Sequence, residues 1–345
     1  MVATATKTRL RLMCPGLFGP AELIAGRDVR TPVLDRLLAR ADRLETQPRD
    51  PLEVLAAAFT IQPPPDRGLP SAPLCLLAEA PELTQDGYWF HADPIHLRPD
   101  RDRLRLFAGP LLALQPLEAA ALLDSFNAHF AEEGLSLIAP GPGAWYLRLD
   151  RSPDLNTHPL HAVSGQDLDR YLPTGADARP WNRWQNEAQM LFYDHPVNLE
   201  RERQGRPTIS GVWTWGGGVL PQVSGGPDLT IADHPLAAGL AQAAGRPWLG
   251  LGELAQLLPD RLASGPAEVL IFWDALWWPA LTGDGETWCA ALTGLESLVA
   301  RLSAAQAAGR VRSLTLDDGY RWSFALTSLG RRRFWRRGRL RERLA

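Results

Sequence analysis

Lysine is almost missing from this chain: Lys7 is the only one in 345 residues, so nearly every cationic side chain is an arginine. That skew reads as base composition rather than chemistry. Cysteine is scarce as well. Cys14, Cys75 and Cys289 are far apart and odd in number. They form neither a CxxC pair nor a disulfide framework, which suits a reducing, cytoplasmic setting. No uninterrupted apolar run reaches the roughly 20 residues that a bilayer demands. The start carries Arg9 and Arg11 without the apolar stretch of a signal peptide, so no secretory leader is expected. A GxSxG nucleophile elbow, a P-loop and a GxGxxG followed by an acidic ribose ligand are all missing. A net charge of −3 argues against a general nucleic-acid binder.

What is present suits a globular chain. Hydrophobic residues make up 45% of it, enough to fill one large α/β domain or two modest ones. A short strand-like run, Leu10 to Cys14, breaks at Pro15-Gly16. Thr31 to Leu44 reads as a helix, with Thr31 as cap and Pro32 in the first turn. A second helix is predicted over 50–60 and a Pro-rich loop over 62–73. Strand-like Tyr88–Leu97 and Leu104–Phe107 flank a charged turn, Arg98 to Asp102. A helix over 116–133 and a strand over 144–149 follow, an order that makes a small α+β unit. Further on, helices over 182–193, 235–244 and 286–307 alternate with strands over 209–215, 268–273 and 311–316. Trp322 to Leu326 adds a short strand. Such alternation predicts a mostly parallel sheet with helices on both faces.

The richest stretch is Asn186 to Gly218. It holds His195-Pro196-Val197-Asn198, then Gly205-Arg206-Pro207, then Trp213-Thr214-Trp215-Gly216-Gly217-Gly218. Glycines after an apolar strand let backbone approach a ligand or a neighbouring element without a Cβ clash. From the residues alone, a packed strand and tight turn is the simpler reading. Upstream lie His158-Pro159-Leu160-His161, Tyr171-Leu172-Pro173-Thr174-Gly175 and Thr31-Pro32-Val33-Leu34-Asp35-Arg36-Leu37. In this order the segments resemble the archaeal-type, cofactor-independent phosphoglycerate mutases of the alkaline phosphatase superfamily. They also resemble a bacterial branch labelled regulatory protein of the RpfE type or simply phosphoglycerate mutase. The resemblance is dense over 158–245 and thin elsewhere. It implies an alkaline-phosphatase-like α/β core over 1–85 and 181–330. An inserted α+β subdomain over 86–180 and a basic C-terminal extension over 331–345 would complete the chain.

Active members of the resembled family hold two divalent metals. Their ligands are an Asp-Gly at the first strand end, an Asp-x-x-x-His after a later strand and an Asp-His near the C-terminus, and a serine is the nucleophile. Two such ions need several carboxylates and imidazoles. Here those positions read Pro15-Gly16, Asp274-Ala275-Leu276-Trp277-Trp278 and Asp317-Asp318, and no serine segment within 45–85 matches. Proline and tryptophan cannot ligate a metal. Asp274, Asp317 and Asp318 remain as a candidate weak, single Mg²⁺ or Mn²⁺ site, with no resident cofactor expected. The strand ends at Cys14-Pro15-Gly16, Trp215-Gly216, Trp273-Asp274 and Leu316-Asp317-Asp318 are expected to converge on one sheet edge. His195, Asn198, Arg206, Trp213, Trp215, Gly216, Gly217, Gly218 and Trp277 are the candidate pocket residues. The bland readings are a histidine bonded to nearby backbone and arginines solvated beside Glu200 and Glu202.

The last fifteen residues carry eight arginines and one glutamate, a local +7 that leaves about −10 on the rest. Arg331, Arg332, Arg333, Arg336 and Arg337 interleave with Phe334 and Trp335. That pattern suits phosphate contacts with base stacking, or an anionic membrane surface, or a solvated cover on an acidic patch. The leading expectation is a cytoplasmic, non-catalytic descendant that binds a protein partner or small anionic ligand in regulation. The alternatives are a metal-dependent mutase or phosphatase with a rebuilt site, and a nucleic-acid accessory protein working through the tail.

Overall fold

The computed structural model describes residues 8–63, 67–83, 87–101, 103–141, 143–254 and 266–343. Lys7, Asp102 and the last two residues of the basic extension lie outside the described residues. The chain forms two compact units, Met1–Ile61 with Val223–Ala345, and Gln62–Gln222.

In the first unit the strands are β1 (Thr8–Met13), β2 (Asp42–Glu45), β8 (Leu229–Ala232), β9 (Trp248–Leu249), β10 (Glu268–Phe272), β11 (Val311–Asp317) and β12 (Trp322–Thr327). They build one sheet in the order β2-β12-β11-β1-β10-β8-β9. Pairing is parallel from β11 through β1, β10 and β8 to β9, and antiparallel at β12 and β2. The expected mostly parallel α/β sheet is therefore present. Its helices are α1 (Pro32–Arg40), α2 (Pro51–Ala57), α8 (Pro235–Ala243), α9 (Trp277–Thr282) and α10 (Gly285–Ala307). Leu292, Leu295, Val299 and Leu302 of α10 are buried in one cluster with Leu12, Ile271, Leu314 and Leu316 of the strands. These four positions recur at three- and four-residue intervals, the stripe by which a helix covers a sheet.

Two local expectations change here. The helix predicted to Leu44 ends at Arg40, and Asp42–Glu45 is edge strand β2. Thr31 does not cap α1 through its side chain; its hydroxyl donates to Asp35 Oδ1 at 3.2 Å. The carboxylate of Glu296 accepts from Val33 N at 2.7 Å and Leu34 N at 2.9 Å instead. A residue of α10 satisfies the free amides at the start of α1, a long-range contact invisible to local pattern.

In the second unit, β3 (Tyr88–Asp100), β4 (Arg103–Ala108), β5 (Leu135–Gly141), β6 (Ala144–Leu149) and β7 (Gly211–Gly218) form an antiparallel sheet in which β3 pairs with β4, β6 and β7. The helices are α3 (Ser71–Glu79), α4 (Pro116–His129), α5 (Leu160–Val163), α6 (Ala178–Tyr193) and α7 (Pro196–Arg203). This unit runs wider than the 86–180 read from the sequence. The reason is pairing: β7 joins β3, from Ile95↔Gly211 to Trp89↔Gly218, so residues 181–222 stay with this sheet. Phe90, Ala92, Trp145 and Leu147 of the strands share a core with Phe126 of α4 and with Trp181, Trp184 and Phe192 of α6.

Candidate functional site

In the first unit, three of the four expected strand ends stand side by side. Met13 is in register with Phe272 and with Asp317. Cys14 N donates to Asp317 O at 2.7 Å, and Trp273 N to Met13 O at 2.8 Å. This is the carboxyl edge of the parallel strands, where open α/β sheets bind ligands. Trp215-Gly216 is not there; it belongs to β7 in the other sheet.

The chemistry of that edge is largely committed. Asp317 Oδ2 accepts from Arg11 Nη2 at 2.6 Å, and its Oδ1 accepts from Gly319 N at 2.8 Å. Asp318 is 5% exposed, and its Oδ1 takes three backbone amides, those of Tyr320, Arg321 and Trp322, each at 2.8 Å. Burial raises its pKa against those amides, and Asp317 adds to the rise. The Cys14 thiol is fully buried and pushed well up by burial, then by the charges of Asp317 and Asp318. Gly16 has a left-handed φ of +81°, and a Cβ there would lie 2.6 Å from Leu276 O and 2.8 Å from Trp277 Cα. The turn after β1 is thus packed against the start of α9, and Trp288 Nε1 donates to Gly16 O at 2.9 Å. Asp274 sits half-buried in the turn before α9. Among the described residues, no group of three or more His, Cys, Asp or Glu is placed to hold a metal ion. The donor set therefore does not fit the two-metal centre of the resembled mutases.

The second unit holds the other pocket candidates, and most act within the fold. His195 caps α7: its Nδ1 accepts from Val197 N at 3.2 Å, and its Nε2 lies 2.9 Å from Ser125 Oγ. Burial lowers its pKa. Asn198 is buried and donates to Phe192 O and Ile209 O, both at 2.7 Å, while its Oδ1 accepts from Ile209 N at 2.7 Å. Arg206 donates to Glu118 Oε1 at 2.8 Å and Ala113 O at 2.7 Å. Fully buried Arg201 also reaches Glu118, at 2.7 Å. The His-Pro-Val-Asn and arginine run thus clasps α7, the start of α4 and the entry to β7. Trp213 is buried, with its indole donating to His158 O at 2.8 Å.

Beside β7 lies a second polar cluster that local sequence pattern did not expose. Trp215 Nε1 donates to Asp93 Oδ2 at 2.5 Å, and the Trp215 ring stacks on His91 at 4.1 Å between centroids. Burial pushes the Asp93 carboxyl up to about 6, against that hydrogen bond. Tyr146 Oη donates to Glu79 Oε2 at 2.5 Å, and burial raises the Glu79 pKa too. Ser71, the first residue of α3, is 1% exposed, and its hydroxyl has no hydrogen-bond partner among the described residues. A Cβ built at Gly216 would overlap that hydroxyl and lie 3.1 Å from His91 Cδ2. Gly217 and Gly218 pack in the same close way on Phe90 and Pro70. The sequence signal for Ser71 was present, a serine opening an apolar run, but Pro70 and Pro73 on either side read as loop.

The basic extension is held to the first unit. Arg333 donates to both Asp42 carboxylate oxygens and to Arg40 O at 3.2 Å. Arg40 Nη1 returns a bond to Arg331 O at 3.0 Å, and Leu340 is buried with its amide on Asp35 Oδ1 at 2.7 Å. Part of the extension thus covers an acidic strip, Asp35 and Asp42, while Arg332, Arg336 and Arg337 stay exposed. Among the described residues, no helix is long and apolar enough to cross a membrane.

No protein-family model matches the chain. Over 110 residues it is 27% identical to the 2,3-bisphosphoglycerate-independent phosphoglycerate mutase of Methanosarcina mazei, covering 30% of this chain and 27% of that protein. Over 155 residues it is 23% identical to a probable mutase of the same kind from Geobacter sulfurreducens, covering 44% of this chain and 39% of that one. The matched stretches thus span well under half the length of these relatives. In fold, the chain is similar to the PH0037 protein of Pyrococcus horikoshii, with a TM-score of 0.55 at 15% identity, over 94% of this chain and 88% of that one. A cofactor-independent phosphoglycerate mutase of Thermoplasma acidophilum aligns at 15% identity over 93% of this chain and 90% of that one, with a TM-score of 0.45. The chain is thus similar in part of its sequence to the cofactor-independent phosphoglycerate mutases and is built on a mixed α/β fold.

Proposed function

We propose that this chain is a non-catalytic member of the phosphoglycerate-mutase-like proteins, a cytoplasmic regulator that binds a protein partner or small anionic ligand. One observation carries the reading: two of the three surviving carboxylates at the sheet edge, Asp317 and Asp318, are already engaged. Asp317 is neutralised by Arg11 and Asp318 is turned onto three backbone amides. A carboxylate bound this way has to give up those partners before it can ligate a cation. The packing of Leu276 and Trp277 on Gly16 adds to this, because it occupies the turn where an active mutase carries its first aspartate. The RpfE-type regulatory label belongs to this proposal and rests on the sequence resemblance.

The test is metal content together with Mn²⁺-dependent conversion of 3-phosphoglycerate to 2-phosphoglycerate on one purified sample. The expected result is no retained metal and no turnover. Turnover that disappears in Asp274→Asn or Asp317→Asn, with the fold intact, would overturn the reading.

A second reading is retained phosphoryl transfer or phosphatase activity, and Ser71 favours it. A buried hydroxyl without a partner at a helix start is where a nucleophile benefits from nearby amides. Its discriminator is Ser71→Ala, assayed with a chromogenic phosphate ester: lost hydrolysis supports an enzyme, and no hydrolysis in the parent removes this reading.

A further inference from the structure

We infer that the basic extension is a preformed attachment surface for an anionic lipid membrane. The segment is fixed at both ends. Arg333 is clamped on Asp42 and the Arg40 carbonyl, and Leu340 is buried with its amide on Asp35. Between these anchors, Phe334 and Trp335 are 75% and 66% exposed, and Leu329 just before the segment is 75% exposed. Three large apolar side chains left in water over seven residues are unusual for a surface with no partner.

Charge surrounds them. Arg332, Arg336, Arg337 and Arg339 are exposed, and Arg336 touches Asp42 only at 3.9 Å. Arg333 is therefore spent on holding the extension in place, while the side chains of Arg332, Arg336, Arg337 and Arg339 are exposed on either side of the aromatic pair. Rings at the headgroup level with arginines on the phosphates is the arrangement by which peripheral proteins sit in an interface. Clamping also lowers the ordering entropy that a loose tail would lose on binding.

Single-stranded nucleic acid shares the phosphate chemistry, so ring geometry has to separate the two. Phe334 and Trp335 pack edge to face, 82° apart with centroids at 5.3 Å. That makes a compact wedge rather than two parallel platforms on which successive bases could stack. The strong positive charge is also confined to one short segment of a chain that is negative elsewhere.

The experiment uses the full chain with vesicles of equimolar phosphatidylserine and phosphatidylcholine, vesicles of phosphatidylcholine alone, and a single-stranded oligonucleotide. Co-sedimentation is expected with the anionic vesicles only, and it should weaken as salt rises. Phe334→Ser with Trp335→Ser, and separately Arg336→Gln with Arg337→Gln, should each lower the vesicle affinity at least about ten-fold with an unchanged circular dichroism spectrum. No sedimentation with anionic vesicles overturns the inference, as does sedimentation that neither double variant weakens. Oligonucleotide binding that needs Trp335, without vesicle binding, replaces it with nucleic-acid recognition.

Discussion

Arg11 and Asp317 face each other across the central strand pair, with Nη2 2.6 Å from Oδ2. The aspartate is the less exposed partner, 13% against 35% for the arginine, so the pair is shielded on its acidic side. Asp317→Asn should lower stability by about 1–2 kcal/mol, since a charge-assisted bond becomes a neutral one. A urea midpoint measurement checks this. Asp318→Ala should cost more, about 3 kcal/mol, because three amides lose a shared acceptor, while Asp318→Asn keeps an oxygen and loses less.

Asp93 gives a pH prediction of definite sign. Its carboxyl titrates near 6 in the fold against an ordinary 3.8. Stability linked to it is fully present below about 3.8, where the group is neutral in both states, and is lost as pH rises through about 6. Asp93→Asn should therefore gain on the parent between those values, by on the order of 2 kcal/mol. Melting temperatures of both proteins across that window are the readout, and parallel curves would sink the assignment.

His195 should move stability the other way. Burial lowers its pKa, so its contribution is present above the ordinary imidazole value and falls away as pH drops through the lowered one. Protonation removes the Nδ1 acceptor that caps α7. His195→Asn is expected to keep the cap and abolish this acid sensitivity, whereas His195→Ala costs about 1 kcal/mol at neutral pH.

Gly216 tests how tightly β7 is packed on α3. Gly216→Ala puts a methyl group into Ser71 Oγ at a residue with φ of +64°. It should destabilise by about 2 kcal/mol or more. Ser71→Gly in the same chain should recover the steric part and leave the backbone strain. Denaturation of both single variants and the double variant separates those two parts.

The regular α/β elements were legible because their periodicity is strong. The predicted strands over 144–149, 268–273 and 311–316 match β6, β10 and β11 to within a residue. Hidden elements had physical reasons. Helix α3 lies between prolines and is apolar all round, with Ala72, Leu74, Cys75 and Leu76 buried, so no amphipathic stripe marks it. Strand β8, Leu229–Ala232, is four buried residues, too short to announce a period. The sheet to which β7 belongs depended on its pairing with β3, more than a hundred residues away, which local pattern does not encode. In the candidate sites, the departures at Pro15 and Trp278 from the resembled family's ligand pattern could be read directly. The engagement of Asp317 by Arg11 could not, because the partner lies 306 residues off in sequence. Arg206 looked like a ligand group for the same reason, since Glu118 lies 88 residues away, whereas the backbone partners of Asn198 are near in sequence but are set by how the chain turns from α7 into β7.

The seven-stranded sheet ends in two unlike borders. On one side β9 offers only two residues. On the other, β2 is Asp42-Arg43-Leu44-Glu45, exposed throughout and charged at three of its four positions. Arg333 closes on Asp42, Arg321 pairs with Glu45, and the Arg43 guanidinium lies over Trp322 at 4.5 Å. A free strand from another molecule meets either too little backbone or a ridge of fixed charge, the device by which sheets resist edge-to-edge aggregation. The arginine that anchors the C-terminal segment therefore also guards solubility, and trimming the chain before Arg333 should expose this border to self-association.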